Sequence, residues 1–148
     1  MSDQQLQVNT QLRVGVAANE VYEAIVDPDR MSGYFISSGT NRLDAAQEIT
    51  WRWADVNVEA SVKPRNLEED KLISFLWSSG TEESLVTITL KKLETHATLV
   101  MVNESGWPAD TQGIQRCIGQ TQGWMHMLCC LKAYLEHGIN LRQGGIYM

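Results

Sequence analysis

The residues of this chain best suited to chemistry fall into three groups. The first is aromatic. Trp51 and Trp53 alternate with Thr50 and Arg52, Phe75 and Trp77 sit in one apolar run, and Trp107 and Trp124 follow. Each alone is what a core retains, because a large ring contributes strongly by burial. As a set they suit the wall of a pocket that cups an apolar molecule. Five tryptophans are many for 148 residues, which favours the pocket. Period-two alternation makes Trp51, Trp53, Phe75 and Trp77 the inward faces. A register slip of one residue would reverse a whole strand.

The second group is a single carboxylate. Glu104 shares strand phase with Val100 and Val102. If those valines point inward, so does Glu104, at the mouth of the same pocket. There it could orient a polar ligand group or act as a general base. The plainer alternative is a solvated residue at a strand end. No second polar group of the kind needed for catalysis is expected to converge on it. The third group is His126 with Cys129 and Cys130, spaced i, i+3 and i+4 on a helix. Two or three such ligands could begin a metal site, but no second His/Cys cluster completes it. His96 and His137 fall at element ends. The cysteines read as small apolar fillers, without the surroundings that activate a thiolate. His126 is two positions from both Trp124 and Leu128, so it is expected to point away from their face. No metal and no cofactor is expected.

Other functions are argued against by what is present. Net charge is −6, and the twelve basic residues are scattered, Lys91-Lys92 being the only adjacent pair. A nucleic-acid partner needs a basic face, so none is expected. No apolar run approaches the roughly 20 residues of a membrane span. The polar N-terminus Met1 to Gln5 lacks the regions of a signal peptide. Three cysteines in one helix do not suggest a disulfide framework, and a cytoplasmic location is the natural expectation. The serines lack the Gly-x-Ser-x-Gly setting of a hydrolase, and the glycines form no phosphate-binding loop.

The elements that must position these residues are readable. Leu6, Val8, Thr10, Leu12 and Val14 alternate with polar neighbours and predict a half-buried strand. Asn19 is the expected cap of a helix carrying Val21, Tyr22, Ile25 and Val26. Asp27-Pro28 restarts a short helix that Gly33 ends. Tyr34 to Ser38 reads as a short strand. Ile49, Trp51 and Trp53 form another, and Ala54-Asp55 a tight turn or bulge. Val56 to Val62 returns, and Pro64 ends that strand or marks an edge. Leu72 to Trp77 suits a strand covered on both faces. Ser78 to Thr81 is turn chemistry, Val86 to Lys91 a strand, Glu94 to His96 a turn, and Thr98 to Asn103 the final strand.

Then Ile114, Cys117, Ile118, Thr121, Trp124, Met125, Leu128, Leu131 and Leu135 recur at steps of three and four. They predict one long amphipathic helix from about Thr111 to about His137, roughly seven turns. Asp110 is its expected cap, and Gly138 its left-handed stop. Gly119 and Gly123 are expected where the helix crosses closely over the sheet or the short helices; a self-association face is the alternative. Arg52 and Asp55 are expected to pair at a hairpin tip. The fold class is α+β: a curved antiparallel sheet of six to seven strands around one C-terminal helix, with two short helices after the first strand. Residues 1–148 form one domain, and the tail 139–148, with Gly144-Gly145, has the composition of a mobile end.

This order of elements resembles the helix-grip superfamily, which includes START lipid-transfer domains, birch-pollen-allergen-like proteins and polyketide cyclases. Within it the chain most resembles the activator of heat-shock-protein-90 ATPase homologue family. The resemblance is carried by Val21-Tyr22-Glu23-Ala24-Ile25-Val26-Asp27-Pro28, by Val58 to Pro64 with Leu72 to Trp77, by Asn103-Glu104-Ser105-Gly106-Trp107-Pro108, and by Gly123-Trp124 through Leu135-Glu136-His137-Gly138. Tyr34 stands where a tryptophan is common, and 148 residues leave no room for the additional domain of the eukaryotic co-chaperone.

The resemblance implies binding of a small hydrophobic molecule between sheet and helix. The residues expected to contact it are Trp51, Trp53, Phe75, Trp77, Val102, Glu104, Trp124 and Leu128. A stress-related interaction module with a chaperone or other protein partner is the alternative. A cyclase- or hydratase-like enzyme using the same cavity is the second. A homodimer is compatible with either.

Overall fold

The computed structural model describes residues 6–78, 80 and 82–146. Met1 to Gln5, Ser79 and Thr81 of the expected turn, and Tyr147-Met148 of the tail lie outside the described residues. The chain runs β1 (Leu6–Val14), α1 (Ala18–Val26), α2 (Pro28–Met31), β2 (Ser38–Gly39), β3 (Ile49–Trp53), β4 (Val58–Glu68), β5 (Leu72–Ser78), β6 (Ser84–Glu94), β7 (Ala97–Trp107) and α3 (Thr111–His137). The strands form one antiparallel, curved sheet in the order β1-β7-β6-β5-β4-β3-β2. Because β1 pairs with β7, the chain's first and last strands meet, and α3 packs chiefly along β1. A single hydrophobic cluster joins the inner sheet face, the two short helices and the C-terminal half of α3.

Alternation places the inner face. On β7, Ala97, Val100, Val102, Glu104 and Trp107 are buried, while Met101 and Gly106 are exposed. The step from Glu104 to Trp107 breaks period two, and Gly106 is the reason. It is the extra residue opposite the irregularity between Leu6 and Gln7, as in a β-bulge. Its φ of 131° favours glycine, and an added Cβ would lie 3.2 Å from the Ser84 Cα. The bulge turns Trp107 back inside, where it is 7 % exposed.

The ends of α3 follow from local chemistry. The Asp110 side chain accepts from the Gly113 amide at 2.8 Å, and Gly138 stops the helix at φ 66°. Asp27 likewise accepts from the Asp29 amide and caps α2, with Pro28 in its first turn. No helix among the described residues is long and apolar enough to cross a membrane.

Several expectations need correction. Asn19 is not a cap: α1 begins two residues earlier than that cap would give, at Ala18, with Ala17 at the cap position and no side-chain bond. Tyr34 to Ser38 is not a strand. Tyr34 and Phe35 continue α2 as turns through amide bonds to the Met31 carbonyl, and β2 is only Ser38–Gly39. Tyr34 is wholly buried, its hydroxyl donating to the Ala24 carbonyl at 2.8 Å, and burial pushes that phenol far above its ordinary range. Pro64 does not end β4. β3 reaches only as far as Val62, so the missing amide of Pro64 falls where β4 lacks a β3 partner, and the strand shifts register there. The last strand continues past Asn103 to Trp107.

On α3, Ile114 and Ile118 are 47 % and 57 % exposed and do not join the buried stripe. Arg52 pairs with Glu59 instead of Asp55, and Asp55 pairs with Arg142 of the tail at 2.8 Å. Gly119 and Gly123 make no close crossing, since a Cβ at either would meet nothing within 4 Å. The close approach is at Gly113, where an added Cβ would strike the Pro108 carbonyl.

Candidate functional site

Between α3 and the far ends of the strands lies an open cleft of about 910 Å³. Trp53 of β3, Ala60 of β4 and Trp77 of β5 line it from the sheet, with Trp107 at the end of β7. Phe35 contributes from the segment after α2. From α3 come Gly119, Gln120, Gly123, Trp124 and His126, and from the tail Arg142 and Ile146. The two glycines face open space, so at these two positions the helix wall carries no side chain into the cleft.

The rings form one continuous cluster. Trp77 and Trp124 lie 5.2 Å apart at 31°. Trp53 meets Trp77 at 6.1 Å and 66°, and Phe35 meets Trp53 at 5.3 Å and 73°. These edge-on and tilted contacts are the arrangements that ring quadrupoles favour.

At the base of the cleft is Glu104, 1 % exposed. The Trp77 indole N–H donates to its Oε2 at 2.7 Å, and the Ser84 hydroxyl to the same oxygen at 2.5 Å. The Trp124 indole donates to Oε1 at 2.7 Å, and the Gln120 side-chain amide at 2.9 Å. Four donors from β5, β6 and α3 thus occupy the four acceptor positions of one carboxylate. The register explains the convergence. Glu104 pairs with Val86 on β6, and Ser84 lies two residues along on the same face, paired with Trp77 on β5. Gln120 sits one helical turn before Trp124, so both reach the same carboxylate. No lysine, arginine or histidine pairs with Glu104 among the described residues.

The other charges of the cleft are spoken for. Arg116 bonds Glu82, and Arg142 forms a two-pronged pair with Asp55 at 2.8 and 3.2 Å. His126 lies 3.6 Å from the Cys130 sulfur. Burial pushes the Cys130 thiol above its ordinary range, which opposes thiolate chemistry. Among the described residues no three His, Cys, Asp or Glu side chains gather as a metal site.

The sequence-predicted residues divide in two. Trp53, Trp77, Glu104 and Trp124 line the cleft. Trp51, Phe75, Val102 and Leu128 lie beneath it as core, each 1 % exposed or less. His126, expected to point away from the face of Trp124 and Leu128, borders the same cleft as Glu104. The cleft wraps the flank of α3 instead of facing only the Trp124 side. Ser84 and Gln120 are not singled out by sequence reasoning, and Gly119 and Gly123 are singled out there as a close crossing or a self-association face, not as part of a cleft. Ser84 had a signal, being a polar residue in phase with Val86, Ile88 and Leu90. Gln120 had only its spacing from Trp124.

The fold agrees with what the chain is similar to. Residues 16–136 match the family described as activator of Hsp90 ATPase homolog 1-like protein. A crystal structure of a Staphylococcus saprophyticus protein is 34% identical, covers 92% of this chain and 96% of its own, and superposes with a TM-score of 0.79. DynU16, from the dynemicin biosynthetic locus, is 22% identical over 92% of this chain and 49% of its own, with a TM-score of 0.79. An Aha1 dimer from Colwellia psychrerythraea is 17% identical, covers 89% and 97%, and has a TM-score of 0.69. No curated protein matches the sequence. The match over residues 16–136, supported by the full-length likeness to the staphylococcal protein, makes this chain a member of the activator of Hsp90 ATPase homolog 1-like family.

Proposed function

We propose that the protein binds a small, largely apolar molecule in the cleft between sheet and α3, without transforming it. The observation that supports this most is the cleft itself: about 910 Å³, walled by Trp53, Trp77 and Trp124, with a glycine-lined side left open. Such a volume and lining are those of small-molecule sites. Glu104 favours binding over catalysis. A general base needs a lone pair aimed at the substrate, and all four positions on this carboxylate are taken. A hydratase or cyclase would have to displace one of them.

An apolar fluorescent dye should bind the folded protein saturably, at micromolar strength, and quench tryptophan emission. Native mass spectrometry of protein purified from its own host should show a co-purifying small molecule. A folded protein that binds no apolar dye saturably would sink the reading. A second reading, a protein-interaction module, is supported by Ile114 and Ile118, exposed one turn apart on α3. Cross-linking in host lysate that is lost in Ile118→Asp, with dye binding intact, would favour it.

A further inference from the structure

We infer that the ligand of this cleft is an organic cation whose charge sits on a fully substituted nitrogen. The inference rests on the ligand-binding reading above and specifies the ligand's chemistry. Glu104 is buried and has no cationic partner among the described residues. Its four donors are two indoles, a hydroxyl and an amide. They accept the role of water but leave the negative charge uncancelled. An uncompensated buried charge is costly to keep, and a bound cation would relieve that cost. The arginines at the cleft do not serve, since Arg116 is held by Glu82 and Arg142 by Asp55.

The rings point to the same ligand. Trp77 and Trp124 both donate their N–H to the carboxylate, which polarises each indole and enriches its π face. Trp53 meets Trp77 edge to face at 6.1 Å and 66°, so the rings line one side of the cleft in contact with each other. Tryptophan faces are the best aromatic partners for a cation, and cages of them recognise quaternary ammonium groups. Saturation of Glu104 then selects among cations. A primary ammonium or guanidinium must satisfy its own N–H groups, and the carboxylate has no free position to offer. A trimethylammonium group has no N–H and needs only charge and a π face. A carboxylate or phosphate ligand would face Glu104 directly and be repelled.

The test uses the full-length protein and four probes, each titrated by calorimetry. They are benzyltrimethylammonium, the neutral alcohol 2,2-dimethyl-3-phenylpropan-1-ol (a quaternary carbon in place of the nitrogen, with one methyl hydroxylated for solubility), benzylammonium, and phenylmethanesulfonate. Benzyltrimethylammonium is expected to bind roughly tenfold more tightly than the neutral alcohol. Benzylammonium should fall between them, and the sulfonate should be weakest. In Glu104→Gln, with a cooperative melt confirming the fold, the ratio of cation to alcohol should drop to about one. If that variant does not fold, the wild-type ratios decide alone. Equal binding of cation and alcohol would overturn the inference and leave the apolar-ligand reading standing. Tighter binding of benzylammonium than of its trimethyl form would overturn the substituted-nitrogen assignment. Saturable binding of none of the four, nor of an apolar dye, would remove both readings.

Discussion

From Trp124 to Leu131, α3 is buried at Trp124, Met127, Leu128, Cys130 and Leu131; from Thr111 to Gly123, only Gly113 is buried. Both stretches carry apolar residues at helical spacing. They differ in what lies opposite. The second stretch meets the inner sheet face and the short helices, whereas the first overhangs the cleft. Ile118 sits about 80° around the helix from Leu128 at 100° per residue, on the margin that the sheet does not reach. A periodic stripe therefore shows which residues share a face of a helix. It does not show how much of that face a curved partner covers.

Truncation in each half should separate them most strongly. Leu128 is 0 % exposed, and Leu128→Ala should cost about 2–5 kcal/mol by transfer loss and cavity formation. Ile118→Ala should change stability by less than about 0.5 kcal/mol. Urea unfolding of the two variants under one set of conditions measures the contrast. Similar losses would mean that the first half is covered after all.

The ends of α3 were legible because capping is local: Asp110 and Gly138 each act within one turn. The inner phase of β7 was legible from Val100 and Val102. What one strand's pattern could not convey was the surroundings of Glu104. Its partners come from Ser84, Trp77, Gln120 and Trp124, whose meeting depends on strand register and on where α3 crosses the sheet. Trp51 and Trp53 make the same point. They share a strand face and the same core cluster, yet only Trp53 also borders the cleft, a boundary that one strand's alternation does not carry. Gly119 and Gly123 were misread for a related reason. A glycine pair on a helix marks either close approach or empty space, and the sequence looks the same in both cases.

That empty space offers the next contrast. Gly123→Ala should stabilise the protein by up to about 1 kcal/mol, because the helix gains a better former and nothing is displaced. Gly123→Leu should keep a cooperative melt while weakening dye binding at least about tenfold by occupying the cleft. Tenfold is about 1.4 kcal/mol of binding, so the effect is smaller than the Leu128 truncation but acts on function alone. A Leu variant that melts well below the wild type would mean that this side of the helix is packed. One that binds the dye unchanged would place the dye elsewhere.

The smallest effect distinguishes the far end of α3 from its beginning by pH. Glu136 accepts from the Gly15 amide at 2.7 Å and from the Lys132 ammonium at 2.5 Å, tying the last turns of the helix to the link between β1 and α1. The Lys132 bond first, and the Gly15 amide second, hold this carboxyl below the ordinary glutamate range. A carboxylate with a depressed folded-state value stabilises the protein above its unfolded value, and that share is lost as pH falls through the folded one. Glu136→Gln should therefore cost about 1 kcal/mol at neutral pH and little at acidic pH, below the glutamate range. Glu23 and Asp44, held down chiefly by their bonds to Arg42, keep their own acid dependence in that variant. Only part of the slope should disappear. Denaturant midpoints of both proteins from neutral to acidic pH would measure that part, and parallel curves would show that Glu136 does not anchor the helix end.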